Sequence, residues 1–273
     1  AAAAEQPAAA PTADAPALEA SPEPDGLEAA LKNGKVKLNV RARLGFADFD
    51  NGTDTGFSPT VRTRLGYETG AMGGFKGYLE FEDVQSIDDE SYNSTQNGNA
   101  GNAVIADVVG TEVNQAWINY ASEEKGAFGA KLGRQVIVLD DHRFIGHVGW
   151  RQDQQTFDAA RFTSHLGVEG LEATAGYITK VNRIFGEAAD FDSESFFVNA
   201  GYQLKDGPKV TGFVYGLDFE NAPANSSVTV GGRITGKHKL SEGNGAVVYA
   251  ASVATQSDFG DNPVSYDVLY YMI

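Results

Sequence analysis

From Lys35 onward, apolar and polar positions alternate. Val36, Leu38, Val40, Ala42, Leu44 and Phe46 share one face, and Lys35, Lys37, Asn39, Arg41, Arg43 and Gly45 share the other. Successive strand side chains point to opposite faces, so this period of two predicts a strand with an apolar front and a basic back. A near-copy follows, in which Val61, Thr63, Leu65 and Tyr67 oppose Arg62, Arg64, Gly66 and Glu68. The pattern continues with Phe75, Gly77, Leu79 and Phe81 against Lys76, Tyr78, Glu80 and Glu82, and with Ala116, Ile118 and Tyr120 against Gln115, Trp117 and Asn119. Further on, Phe196, Val198, Ala200, Tyr202 and Leu204 share a face, as do Thr211, Phe213, Tyr215, Leu217 and Phe219. Val228, Val230 and Ile234, then Val264, Tyr266, Val268 and Tyr270, complete the series. About twelve strands of roughly nine to twelve residues result, long enough to cross a bilayer at a tilt.

Alternation alone fits both a soluble β-sandwich and a membrane barrel, since each has one apolar face. The connections favour the barrel. Short turns at 69–74, 122–126, 164–167, 205–208 and 241–245 alternate with long polar segments at 48–56, 83–113, 139–154, 180–193 and 220–226. Tight turns on one rim and long loops on the other are the layout of an outer-membrane barrel, whereas a Greek-key sandwich mixes its connection lengths. The expected fold is all-β, a transmembrane antiparallel up-and-down β-barrel over 27–273, with its N-terminus on the short-turn, periplasmic side. Phe46, Tyr67, Phe81, Tyr120, Tyr177 and Phe219 lie toward the ends of apolar faces, where interfacial aromatic girdles belong.

Residues 1–26 follow a different rule. Pro7, Pro11, Pro16, Pro22 and Pro24 stand among alanines, with no aromatic side chain and too few branched ones to offset the entropy of ordering. A disordered, Ala/Pro-rich mature N-terminus is expected there, left by cleavage of a signal peptide at a small-residue site. A short helical turn over 27–33, ending at Gly34, should precede the first strand.

Composition narrows the function. The 273 residues carry 37 Asp+Glu against 21 Lys+Arg, a net charge of -16, and no cysteine. Disulfides, thiolate metal sites and cysteine nucleophiles are excluded, and an acidic chain is a poor nucleic-acid binder. No apolar run is long enough for a transmembrane helix. The charge is segregated, however. Arg41, Arg43, Arg62, Arg64, Lys131 and Arg233 fall on the faces that would line a lumen, while acids such as Asp88, Asp89, Glu90, Asp140, Asp141 and Glu187 concentrate in loops. Clustered cations in a pore favour anions, and the planar guanidinium suits carboxylates. The competing reading is that Arg62 and Arg64 simply pair with glutamates on neighbouring strands.

The densest polar stretch holds Gly133-Arg134-Gln135, then Asp141-His-Arg143-Phe-Ile-Gly146, Trp150-Arg151-Gln152 and Thr156-Phe157-Asp158-Ala-Ala-Arg161. With the Arg-x-Arg of the first strand, Phe81-Glu-Asp83 and Thr111-Glu-Val-Asn-Gln-Ala116, this order resembles the alginate-export family of outer-membrane porins across nearly everything after residue 26. The resemblance implies a monomeric barrel in the bacterial outer membrane, in contact with outer-membrane lipid, whose arginine-rich pore passes an anionic polyuronate such as alginate or another small anion. Carried over by motif position, Arg134, Arg143, Arg151 and Arg161 would lie near the constriction and contact carboxylates, with Asp158 buttressing them. Family barrels exceed twelve strands and usually end in an aromatic residue, whereas this chain stops at Tyr271-Met-Ile273 in mid-pattern. A truncated arc of a larger barrel is therefore expected, with closure at twelve strands as the alternative.

No enzyme, cofactor or metal is expected. Asp140/Asp141 and Glu80/Glu82 lack an oriented acid–base arrangement, and His142, His147, His165 and His238 show no metal-ligand spacing. The rival from another class is a soluble β-rich carbohydrate-binding or polysaccharide-lyase domain.

Overall fold

The computed structural model describes residues 26–124, 126–240 and 245–273. The expectation of disorder for the N-terminal tail, and most of the turn at 241–245, lie outside those residues.

A six-residue helix, α1 (Leu27–Lys32), occupies the predicted helical turn. It docks on the turn at 69–74, where Gly70 N–H donates to the Ala30 carbonyl at 2.8 Å and the Tyr67 hydroxyl donates to the Leu31 carbonyl. Twelve strands follow: β1 (Lys35–Ala47), β2 (Gly56–Glu68), β3 (Phe75–Ser86), β4 (Gly110–Ala121), β5 (Gly129–Gln135), β6 (Thr156–Ser164), β7 (Leu171–Asn182), β8 (Phe191–Gln203), β9 (Lys209–Leu217), β10 (Ser227–Lys239), β11 (Ala246–Asp258) and β12 (Asp267–Met272). Each pairs antiparallel with the next in a single meander. Short and long connections alternate as expected, although β3 and β4 run further into the second long loop than their sequence pattern indicates. Among the described residues β1 and β12 do not pair, so the sheet is an open arc and not a barrel closed at twelve.

Burial is inverted relative to a water-soluble domain. Val36, Leu38, Val40, Leu44 and Phe46 of β1 are 60–76% exposed, whereas Arg62 is 5% and Glu82 1% exposed. Exposing such apolar faces to water would forgo about 1.5–3 kcal/mol per large side chain, and a lipid surround removes that cost. The soluble-domain reading loses its basis here. Phe75, Tyr120, Phe128 and Phe162 form a chain of ring contacts at 4.9–6.3 Å near the short-turn rim, placed as an interfacial belt.

Two strands reverse the expected facing. In β9, Thr211, Phe213 and Tyr215 point inward and are buried, although the pattern assigned them to the apolar outer face. In β12, Leu269 and Tyr271 are the more exposed residues and Tyr270 turns inward. Phe219, expected in the outer girdle, is buried against Phe191 with ring centroids 4.6 Å apart. The reason is shared. The interior on this side is packed by an apolar segment, so an apolar strand face finds a dry partner inside as readily as outside.

Candidate functional site

That segment is the connection between β5 and β6, residues 136–155, which folds into the arc instead of standing above it. At the β4–β5 contact, Gly133 has φ 112°, and any Cβ there would collide with the Ala116 carbonyl, which explains glycine at this point of the motif. Beyond it, Ile137, Leu139 and Ile145 join Phe157, Ile178, Phe197, Phe213 and Tyr215 in one buried cluster. Phe144 lies against Phe213, Tyr215 and Tyr270 at 5.7–6.0 Å between ring centroids. Two acids anchor this half to the wall. Asp140 accepts from Asn199 Nδ2 at 2.7 Å and from the Tyr215 hydroxyl at 3.1 Å, and Asp141 pairs with Arg233 at 2.6 Å.

The second half of the segment is polar and reaches the opposite wall. Arg41 Nε donates to Gln152 Oε1 at 2.9 Å, and Arg41 Nη1 donates to the Gly149 carbonyl at 3.1 Å. Arg62 donates to the Gln152 carbonyl at 3.2 Å and to Asn39 Oδ1 at 2.6 Å. Arg64 donates to Gln154 Oε1 at 2.9 Å and forms a close ion pair with Glu82, whose Oε2 also lies 4.0 Å from Arg62. Arg43 pairs at 3.1 Å with Asp107, a fully buried acid from the β3–β4 loop. A β-bulge opposite Glu80/Phe81 turns Asn114 into this network, where it donates to Glu80 at 2.8 Å and accepts from Gln154 at 3.2 Å. The structure therefore unites Arg41, Arg43, Arg62 and Arg64 around one docked segment.

The motif residues spread further. Arg134 and Asp158 form a two-pronged pair at 2.8 and 3.1 Å. Along β5 and β6 they take the alternate positions of the outward Leu132 and Phe162, and so stand apart from Lys131 and Arg161. Arg143 stacks over Tyr270 at 4.7 Å and Arg151 over Trp150 at 4.1 Å. Lys131 and Arg161 are register partners on β5 and β6, and Lys131 Nζ sits 4.0 Å over the Trp117 ring. Trp117 contacts Tyr78 at 5.3 Å, and Lys37 lies 4.8 Å over Tyr78. Cations and aromatic faces thus form a row across the interior toward the short-turn rim. Arg41, Lys131, Arg143, Arg151 and Arg161 have no carboxylate within 4.0 Å among the described residues. Arg41 Nη2, Arg64 Nη2 and Arg151 Nε are buried donors without acceptors among the described residues.

Sequence reasoning missed Asp107, Asn114, Gln154 and the carboxylate grouping of Glu82, Glu112 and Asp153. Tyr78 and Trp117 carried a usable signal, as aromatic residues standing on otherwise polar faces. Burial, together with the neighbouring Glu112 and Glu82, pushes the carboxyl of Asp153 up to about 9. Burial, His142 and Arg64 hold the His147 imidazole below its ordinary value.

A family model described as alginate export matches residues 41–210. Among solved structures, OccAB1 of Acinetobacter baumannii aligns with TM-score 0.62 and 18% identity over 84% of this chain and 53% of that chain. OccK9 (OpdG) of Pseudomonas aeruginosa aligns with TM-score 0.65 and 13% identity over 88% and 63%. A BenF-like porin from Pseudomonas fluorescens Pf-5 aligns with TM-score 0.62 and 14% identity over 89% of this chain and 65% of that chain. The chain thus spans 53–65% of the length of these structures, and at such identities the likeness establishes the porin fold. No curated protein sequence matches the chain.

Proposed function

The chain belongs to the alginate export family of bacterial outer-membrane proteins, and on that premise we propose that it forms part of a non-enzymatic channel passing anionic solutes, of which polyuronates such as alginate are the best fit. The observation that carries this reading is the set of interior cations without a carboxylate partner among the described residues: Arg41, Lys131, Arg143, Arg151 and Arg161. Unneutralised charge in a confined, low-dielectric path attracts counter-ions and repels like charge. The row of Lys37, Tyr78, Trp117 and Lys131 offers flat aromatic faces beside cations, a combination suited to sugar rings that bear carboxylates.

The 136–155 segment sets the width of this path, because it spans from the aromatic wall of β9 and β12 to the arginine wall of β1 and β2. Reversal potentials in planar bilayers under a salt gradient test the reading. Anion preference, with current block by short oligouronates, is expected; cation preference would overturn it.

A further inference from the structure

One grouping in the interior is short of positive charge. Glu82 of β3 and Glu112 of β4 are register partners, and Asp153 of the inserted segment comes down upon them. One carboxylate oxygen from each lies within 4.8 Å of the other two. Glu82 and Asp153 are 1% and 6% exposed, and each keeps one buried oxygen, Oε1 and Oδ1 respectively, that no donor among the described residues reaches apart from the carboxyls of the grouping itself. The neighbouring guanidiniums are already engaged. Arg62 and Arg64 both address Oε2 of Glu82, and Arg134 is held by Asp158. Buried carboxylate oxygens without a donor are rare in native proteins, and a bound ion is one of the standard reasons for them.

We propose that Glu82, Glu112 and Asp153 bind a divalent cation of the hard, oxygen-preferring class, Ca²⁺ above all, which fastens the 136–155 segment to β3 and β4. The donor set is all carboxylate, with no nitrogen or sulfur, which suits Ca²⁺, Mg²⁺ or Mn²⁺ and disfavours zinc or copper. Ca²⁺ accepts irregular geometry and completes its shell with water, as a site built from two strands and a loop requires. The ion also removes an acidic patch from an otherwise cationic interior. The site lies outside the permeation reading and does not depend on which solute passes.

Calorimetric titration of the full chain in detergent micelles, stripped of divalent ions beforehand, tests the proposal with CaCl₂ and MnCl₂ as probes. One saturable Ca²⁺ site in or below the millimolar range is expected. Asp153→Asn and Glu112→Gln should each weaken it about tenfold or more, while Asp50→Asn on an exposed loop leaves it unchanged. Absence of saturable binding, or binding that survives both substitutions, overturns the proposal. Should the variants fail to fold, hydrogen exchange on the unaltered protein decides. Slower exchange of the amides at 150–155 in Ca²⁺ than in EDTA at neutral pH supports the site. Equal exchange, or protection restored in EDTA by acidification to a level that Ca²⁺ cannot match, assigns the neutralising role to a proton and overturns it.

Discussion

Arg41 and Gln152, 111 residues apart in the chain, hold each other by reciprocal hydrogen bonds. The guanidinium donates to the Gln152 side-chain oxygen at 2.9 Å, and the Gln152 amide donates back to the Arg41 carbonyl at 3.3 Å. The same amide donates to the Thr60 carbonyl and hydroxyl at 3.1 and 2.9 Å. Gln152 is fully buried, so this neutral side chain joins the inserted segment to two adjacent strands without consuming the charge of Arg41.

Gln152→Ala should therefore loosen the segment while leaving the sheet intact. The lost bonds leave buried groups of Arg41 and Thr60 unpaired, a cost of about 1–3 kcal/mol on docking. Larger and noisier single-channel conductance is expected, with faster hydrogen exchange at 149–155. Unchanged conductance and exchange would mean that the aromatic half alone holds the segment.

Asp107 fastens the neighbouring loop. It accepts from Arg43 at 3.1 Å, from the Gln152 backbone amide at 3.4 Å and from the Thr60 hydroxyl at 3.5 Å. Asp107→Asn should destabilise this contact by about 1.5–3 kcal/mol, the range for hydrogen bonds to charged groups. A double-mutant cycle with Arg43→Gln, read from the denaturant midpoint of heat-modifiable gel migration, should return a coupling between the two residues. Additive effects would refute it.

Selectivity should respond to unpaired charge and ignore paired charge. Lys131→Gln with Arg161→Gln removes two cations that lack carboxylate partners and should shift the reversal potential toward zero. Arg134→Gln with Asp158→Asn removes a mutually satisfied pair with no change in net charge, and should leave the potential where it was. Equal shifts from both double variants would dissociate selectivity from the interior cations.

Protonation of His147 should weaken docking of the segment. The rings of His142 and His147 lie 5.2 Å apart, and His147 Nδ1 is buried without a partner. Burial, His142 and Arg64 depress the His147 pKa below its ordinary 6.5. At His147 the undocked form then binds more protons than the docked form, so this residue's contribution to docking is full above that value and is lost as the pH falls below it. Relative to the unaltered protein, His147→Gln should raise the amide protection factors at 136–155 at mildly acidic pH and leave them alike at neutral pH. An identical pH profile in the variant would exclude His147 as the titrating group.

Alternation is a property of the local backbone. For β1 to β4 it was legible from residues such as Val36, Leu38, Arg62 and Glu82, because a polar face next to an apolar one admits a single orientation in a membrane. The meander order was equally legible in the succession of short and long connections. For β9 and β12 the pattern was readable but its direction was not. Phe213, Tyr215 and Tyr270 meet Phe144 inside the arc, and lipid and a buried apolar segment are both dry, so hydrophobicity alone cannot separate them. The arginines of β1 and β2 could be assigned to the interior one by one. The pairing of Arg62 and Arg64 with a glutamate of the neighbouring strand was one of two readings open in the sequence, whereas the partners Asp107, Gln152 and Gln154 arrive on two loops whose path depends on packing between residues far apart in the chain. Only the folded arrangement brings a glutamate from each of two strands and an aspartate from an inserted loop within 4.8 Å, since no periodicity relates them.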